Sequence, residues 1–262
     1  MKLIDAHNHL ADARLLPHLP AILPALDLQR AVVNGTRESD WPAVAALAAE
    51  HAWVLPSFGL HPWHVAGRTS RWLDELRARL DAHPCAGVGE IGLDRWVEGH
   101  DLPDQISVFT AQLTLAAERD LPVTIHCIQA WGALGEVVRT HPLPACGFLL
   151  HAFGGSLEMM HGFADRGGYF SFPSYFLHER KATQRSVFAA IPEDRLLVET
   201  DVPDLRPPDD RNPHPLPDEA GAPLNHPANI EVAYAALAGI RGISVEALVE
   251  IVAANFARLF GR

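Results

Sequence analysis

The sequence predicts a (β/α)8 TIM barrel, and three observations carry that prediction. Eight short apolar runs alternate with amphipathic segments over 262 residues, which is the arithmetic of that fold. The runs are mostly continuously apolar rather than alternating, as strands of a parallel sheet covered on both faces are. Histidine, glutamate or aspartate ends the first, fourth, fifth, sixth and eighth runs. In a barrel those ends converge on one mouth. In the rival arrangement, a doubly wound open sheet, they spread along an edge and function concentrates at a switch point. No composition break or internal repeat divides the chain, so one domain over 1–262 is expected.

The elements follow in order. The first strand is expected at 2–9, the second at 30–36, and a helix at 39–51 with a cap-like Ser39-Asp40 start and Val44, Leu47 and Ala48 on its apolar side. A third strand at 53–60 precedes a helix at 72–83, where Trp72, Leu73, Leu76 and Leu80 share a face. The fourth strand, 85–93, leads to the longest helix, 103–120, with Ile106, Phe109, Leu113 and Ala117 in register. Strands at 122–127, 146–152, 169–173 and 195–200 then alternate with helices at 131–140, 157–166 and 181–191. Helices at 227–239 and 244–260 close the chain, the last starting at Ser244 with Glu246 and Ala247 behind it. Eight prolines between 203 and 227 mark a long loop after the eighth strand, expected to lie over the mouth.

Composition narrows the function classes. Lys plus Arg total 21 against 32 Asp plus Glu, a net −11 with neutral histidine. That balance argues against broad electrostatic binding of nucleic acid or an anionic membrane, though bound cations would offset it locally. Three cysteines without CxxC spacing suggest a reducing compartment, hence a cytoplasmic protein. No apolar run approaches a membrane span. Hydrophobic content of 48% suffices for a core.

The chemistry is concentrated at the run ends. His7 and His9, at i and i+2 of a strand, point to one face and reach one metal ion. Glu90 follows an apolar run, where a buried carboxylate is costly unless paired or metal-bound. His126 and His151 end the fifth and sixth runs, and Asp201 ends the eighth, suited to ligate metal and to accept a proton from water. This donor set favours Zn²⁺, Mn²⁺ or Fe²⁺ over a pure oxygen site, with Mg²⁺ a fourth candidate. Six ligands exceed one tetrahedral shell, and two divalent ions bridged by Glu90 use them more naturally. Gly87, Gly89 and Gly92 match G-x-G-x-x-G, but they begin inside a strand and no helix opens after them, which rejects a dinucleotide site.

Asp5-Ala6-His7-Asn8-His9, Gly59-Leu60-His61-Pro62, Gly89-Glu90-Ile91-Gly92-Leu93-Asp94, Ile125-His126-Cys127, His151-Ala152-Phe153-Gly154-Gly155 and Glu199-Thr200-Asp201 together resemble the TatD family of metal-dependent hydrolases. The motifs stand in the family's order and span nearly the whole chain. The resemblance implies an amidohydrolase-type barrel with a metal pair, His7, His9, Glu90 and Asp201 around one ion and Glu90, His126 and His151 around the other. It also implies a hydrolase of ester-type bonds, as the family includes deoxyribonucleases that cleave phosphodiesters. Two positions depart from the family pattern. Ile128 stands where the family usually has arginine, and Leu224-Asn225-His226-Pro227 where it often has Arg-Asn-Glu-Pro. Arginine grips phosphate with a planar fork of donors that isoleucine and leucine lack. Arg37, Arg95 and Arg206, each just past a strand, are the candidate replacements. His61 is expected to orient substrate, and Asp94 to hydrogen-bond a metal-ligating histidine. Trp63, His64 and Trp96 are expected to line the mouth. The substrate is thus a nucleic acid or a small molecule. Hydrolysis of a small carboxylic ester, lactone or amide in the same dinuclear site is the first alternative, and a non-catalytic metal-binding scaffold the second.

Overall fold

The computed structural model describes residues 2–261. Eight parallel strands form one sheet in sequential order: β1 (Leu3–Asn8), β2 (Leu28–Asn34), β3 (Val54–Phe58), β4 (Gly87–Asp94), β5 (Val123–Ile128), β6 (Phe148–Leu150), β7 (Gly168–Pro173) and β8 (Leu196–Glu199). Apart from the start of β2 and a few partly covered positions in β3 and β5, their residues are buried, as expected for strands with helices on one face and the barrel core on the other. The helices lie between them: a single turn α1 (Leu19–Ile22), then α2 (Trp41–Glu50), α3 (Trp72–Ala82), α4 (Leu102–Arg119), α5 (Trp131–Thr140), α6 (Leu157–Ala164), α7 (Ala182–Ala190), α8 (Ile230–Arg241) and α9 (Val245–Phe260). This is the (β/α)8 barrel, nearly closed.

The ring shuts between β1 and β8. Asp201 N–H donates to His7 O at 3.1 Å, and His9 N–H to Val202 O at 2.8 Å. The buried carboxylate of Asp5 accepts from Thr200 N–H at 3.0 Å and from the Thr200 hydroxyl at 2.6 Å. On α8, the Tyr234 hydroxyl accepts from Ile4 N–H and donates to Ile4 O. These bonds satisfy backbone groups that an open edge would leave unpaired, and they fix His7, His9 and Asp201 relative to one another.

Some expectations shift. Strand β4 runs on to Asp94, so Glu90 sits inside it, where the register with β5 breaks between Val88 and Ile91. The three glycines of the G-x-G-x-x-G match all lie in β4. A Cβ on Gly92, at φ +146°, would meet His126 O at 2.0 Å, and one on Gly89 would meet Thr124, Asn34 and Ser57 at 2.9–3.0 Å. They allow close strand packing around the site and do not form a phosphate loop. Helix α2 begins after Asp40, whose carboxylate takes Thr36 N–H and hydroxyl rather than capping the helix. A 3-10 turn, Pro227–Asn229, comes before α8, which starts at Ile230. The proline-rich segment folds into a small two-strand ladder, β9 (Leu216–Pro217) with β10 (Pro223–Leu224), which its prolines had hidden. Leu224 is buried there. Among the described residues, no helix is long and apolar enough to cross a membrane.

Candidate metal centre

Every donor singled out at a strand end converges at one mouth. His7 lies near the end of β1 and His9 just past it, His126 lies in β5, His151 directly follows β6, and Asp201 lies two residues past β8. Ala152 and Asp201 are left-handed, at φ 41° and 54°, and so is Gln129 after β5, at 55°. Such conformations cost of order 1 kcal/mol or more and collect at functional loops.

The geometry is organised by one carboxylate. Oε2 of Glu90 faces His9 Nε2 at 3.0 Å and His7 Nε2 at 3.7 Å. Its Oε1 faces His151 Nε2 at 2.8 Å, His126 Nδ1 at 3.0 Å and His61 Nε2 at 3.5 Å. Asp201 Oδ1 stands 3.1 Å from His7 Nε2 and 3.5 Å from His9 Nε2. The two oxygens of Glu90 thus point to two different donor sets. Burial pushes the Glu90 carboxyl up, but the imidazoles around it, His151 first, outweigh it and hold it well below the usual range. Burial likewise pushes Asp201 up, but the imidazoles facing it, His7 and His9 first, hold it below the usual range. Both are anionic at neutral pH.

The far side of each imidazole fixes its tautomer. His9 Nδ1 lies 2.9 Å from Asn34 O, an acceptor, so Nδ1 keeps a proton and Nε2 is the nitrogen that a cation would meet. His126 Nε2 donates to Asp94 Oδ2 at 2.9 Å, which leaves Nδ1 as the lone pair. His7 Nδ1 is 3.0 Å from the Asn34 side-chain amide. The orientation of that amide that puts its oxygen on His7 Nδ1–H leaves Nε2 unprotonated as well. His61 differs. Its Nδ1 accepts from Trp63 N–H at 3.2 Å, so its proton sits on Nε2 and points at Glu90. Burial lowers its pKa to about 4, keeping it neutral. His61 therefore offers the site an N–H, not a lone pair.

These residues suit a divalent cation. His7 Nε2 is buried without a hydrogen bond, although Asp201 Oδ1 is only 3.1 Å away. His126 Nδ1 and His151 Nε2 face each other at 3.2 Å. With no cation bound, the carboxylates facing His9 and His151 raise both imidazoles well above their ordinary value, so their protons relieve this crowding; a divalent cation would take the place of those protons. Among the described residues, three clusters meet the spacing of a metal shell: His7 with His9 and Asp201, His7 with Glu90 and His151, and His61 with Glu90 and His126. The tautomer of His61 removes it from the ligand set.

The supporting residues were mostly invisible in the sequence. Asp94, expected behind a ligating histidine, lies behind His126. It also accepts from Trp63 Nε1–H at 2.7 Å and from the backbone of Trp96 at 2.6 Å. Burial raises the Asp94 carboxyl, but hydrogen bonds led by that from His126 bring it to about 2. Two glutamines seven apart on α4 clamp the neighbouring loops. Gln105 bonds the amide and carbonyl of Asp94, and Gln112 those of Leu60 beside His61. Behind His151, Glu199 takes Ala152 N–H at 2.8 Å and the Ser171 hydroxyl. Only the i, i+7 spacing of polar residues on an apolar helix face hinted at the glutamines.

A cavity of about 670 Å³ opens over the centre, lined among others by Trp63, His64, Trp96, Ile128, Trp131, Tyr175 and Lys181. Arg37, Arg95 and Arg206 do not line it, and Arg206 pairs with Asp209. Leu224 is absent from its wall too, so of the two departures only Ile128 meets the mouth. Two cations that the sequence reading passed over do line it. Arg14 bridges Asp12 and Asp204 across the mouth, and the Lys181 ammonium lies 5.2 Å from the Tyr175 ring centre and 5.8 Å from that of Phe176.

Residues 4–261 match the family of TatD related DNases. The chain is 29% identical over 231 residues to the uncharacterized metal-dependent hydrolase YjjV of Escherichia coli (strain K12), covering 87% of this chain and 85% of that protein. It is 31% identical over 232 residues to a protein of Erwinia billingiae (strain Eb661) named 3'-5' ssDNA/RNA exonuclease TatD, covering 87% and 86%. Among solved structures, the TatD homolog YjjV of Escherichia coli superposes with a TM-score of 0.89 at 26% identity, over 99% of this chain and 98% of that one. A TatD family hydrolase of Entamoeba histolytica gives 0.81 at 19% identity, covering 100% and 99%, a likeness of fold.

Proposed function

We propose, from the premise that this chain belongs to the TatD related DNase family and is a metal-dependent hydrolase, that it cleaves phosphodiester bonds at a dinuclear centre bridged by Glu90. The observation that carries this reading is the division of donors between the two Glu90 oxygens. His7, His9 and Asp201 would hold one divalent ion with Oε2. His126 Nδ1 and His151 Nε2 would hold the second with Oε1. Such ions, when bound, polarise the scissile ester and make a nearby water more acidic. Zn²⁺, Mn²⁺, Fe²⁺ and Mg²⁺ are the candidates.

The chain's own residues do the rest. Asp201, anionic and at the rim of the centre, accepts the proton of the attacking water. His61 directs its Nε2–H at the reacting oxygens, and the Trp63 amide on Nδ1 keeps that tautomer. Asp94 holds His126 in the orientation that presents Nδ1. The mouth carries five carboxylates (Asp12, Asp40, Glu90, Asp201 and Asp204) and two cations, Arg14 and Lys181, leaving three net negative charges. Two divalent ions in place of the imidazole protons would leave the mouth net positive, which favours an anionic substrate. A cytoplasmic setting suits the exposed Cys85 thiol.

A relative named as a single-strand exonuclease makes nucleic-acid ends the first substrate to try. The test is incubation of the Mn²⁺-, Zn²⁺- or Mg²⁺-loaded protein with an end-labelled single-stranded oligonucleotide. Nucleotides released stepwise from the 3′ end, and lost on chelation, are the expected result. Hydrolysis of carboxylic esters or lactones with intact oligonucleotide would favour the second reading, which Ile128 on the cavity wall supports because it offers phosphate no donor.

A further inference from the structure

Two tryptophans break the burial pattern of the aromatic residues. Trp96 is 66% exposed and Trp63 50%, while the large aromatics of the core are covered completely. Both line the cavity over the metal centre. Neither sits on an unsupported loop. The Trp63 indole N–H and the Trp96 backbone N–H donate to the two oxygens of Asp94, the carboxylate that also holds His126. The Trp63 ring centre lies 5.1 Å from that of His61 and 6.4 Å from that of His126. One buried carboxylate therefore fixes a metal-side histidine and two solvent-facing indoles together.

We propose that Trp96 and Trp63 form a stacking face that takes the terminal nucleobase of a single-stranded end and sets the adjoining phosphodiester over the metal centre. This rests on the phosphodiesterase reading above. The alternative grip, extra phosphate contacts, is poorly provided. Arg14 is committed to Asp12 and Asp204, Ile128 has no donor, and the Lys181 ammonium packs against the Tyr175 ring. An indole face binds any base, because every base has a π face. Asp94 uses the edge N–H of Trp63 and leaves the ring face open. A site that holds its substrate by one base and one phosphate should prefer short ends and respond weakly to salt, since few counterions are released.

The test compares wild type, Trp96→Ala and Trp63→Phe on two oligonucleotides that differ only in their last residue, adenosine or an abasic tetrahydrofuran. Trp96→Ala should raise KM for the adenine end roughly tenfold, with kcat unchanged, and leave the abasic end nearly unaffected. Trp63→Phe keeps a ring face and should keep the discrimination between the two ends. Equal KM changes on both ends, or none on either, would overturn the stacking face. If the loaded wild type cleaves neither, the phosphodiesterase reading fails by itself. Quenching of tryptophan fluorescence by a phosphorothioate dinucleotide then still decides the inference. Base-dependent affinity lost in Trp96→Ala supports it, and equal affinity with and without the base rejects it.

Discussion

The donors on the two sides of Glu90 are held from behind by different chemistry. On the β1/β8 side, His9 and His7 lean on Asn34, through its carbonyl and its side-chain amide, both neutral. On the β5/β6 side, His126 leans on the Asp94 carboxylate, and Glu199 lies 3.8 Å from His151 Nδ1. A carboxylate behind an imidazole raises its basicity and orients it more strongly than an amide does. The first side compensates with an anionic ligand of its own, Asp201, and with the hydrogen bonds that close the barrel. The second has no further carboxylate ligand, so its basicity must come from behind. The aromatic face of the cavity is attached to that second side, through Asp94. On the proposed reading, proton transfer falls to the first side and substrate placement to the second.

The most damaging change to this arrangement removes the residue the sides share. Glu90→Ala should abolish hydrolysis and release at least one ion, read by elemental analysis beside rate. Asp201→Asn affects only the first side. It should keep the fold and most of the metal while lowering kcat by about 10²–10⁴-fold, the usual contribution of a positioned base. Asp94→Asn affects only the second side and should weaken one of two metal-binding steps by about 10–100-fold in a calorimetric titration. Asn34→Ala, the matching change on the first side, should cost less. An equal loss from the two would erase the distinction between carboxylate and amide backing.

The parts of this design that were legible in the sequence are those that burial writes into it. Strands covered on both faces read as apolar runs, and a histidine or acid after such a run signals a mouth, as at His151 and Asp201. Glu90 was read as ending its strand because nothing in a run of glycines shows where the register breaks. Asn34, Gln105, Gln112 and Glu199 were not read as site residues, since a polar side chain aimed inward looks like one aimed at solvent until its neighbours are known. Arginines just past strands look suitable for phosphate, yet Arg37, Arg95 and Arg206 do not line the cavity, whereas Arg14 and Lys181, with no strand end to flag them, do. Leu224 matched an arginine position by alignment of motifs, but its burial in the β9–β10 ladder keeps it from the mouth.

Two smaller effects sharpen the comparison further. Ile128 lies at the end of β5, on the substrate side. Ile128→Arg should raise kcat/KM on a single-stranded oligonucleotide by about tenfold or more, since a charged hydrogen bond is worth roughly 1.5–3 kcal/mol. No gain would mean that Lys181 or another donor already grips the phosphate. On the first side, burial raises the Asp5 carboxyl to about 7 from 3.8. Its folded pKa exceeds its unfolded one, so the folded state binds more protons between about pH 4 and 7, and stability falls as pH rises through that window. Asp5→Asn keeps the bond from the Thr200 amide, with the Thr200 hydroxyl now accepting from the new amide N–H, and should flatten the fall, measured as the urea midpoint of metal-free protein at pH 5 and pH 7.5.

The sharing of Glu90 between two ions is tested most directly by X-ray absorption on the Mn²⁺- or Zn²⁺-loaded protein. A metal–metal vector of about 3.5–4 Å is expected, present in the wild type and lost in Glu90→Ala. A single ion per active chain, or an active protein with no short metal–metal vector, would contradict it.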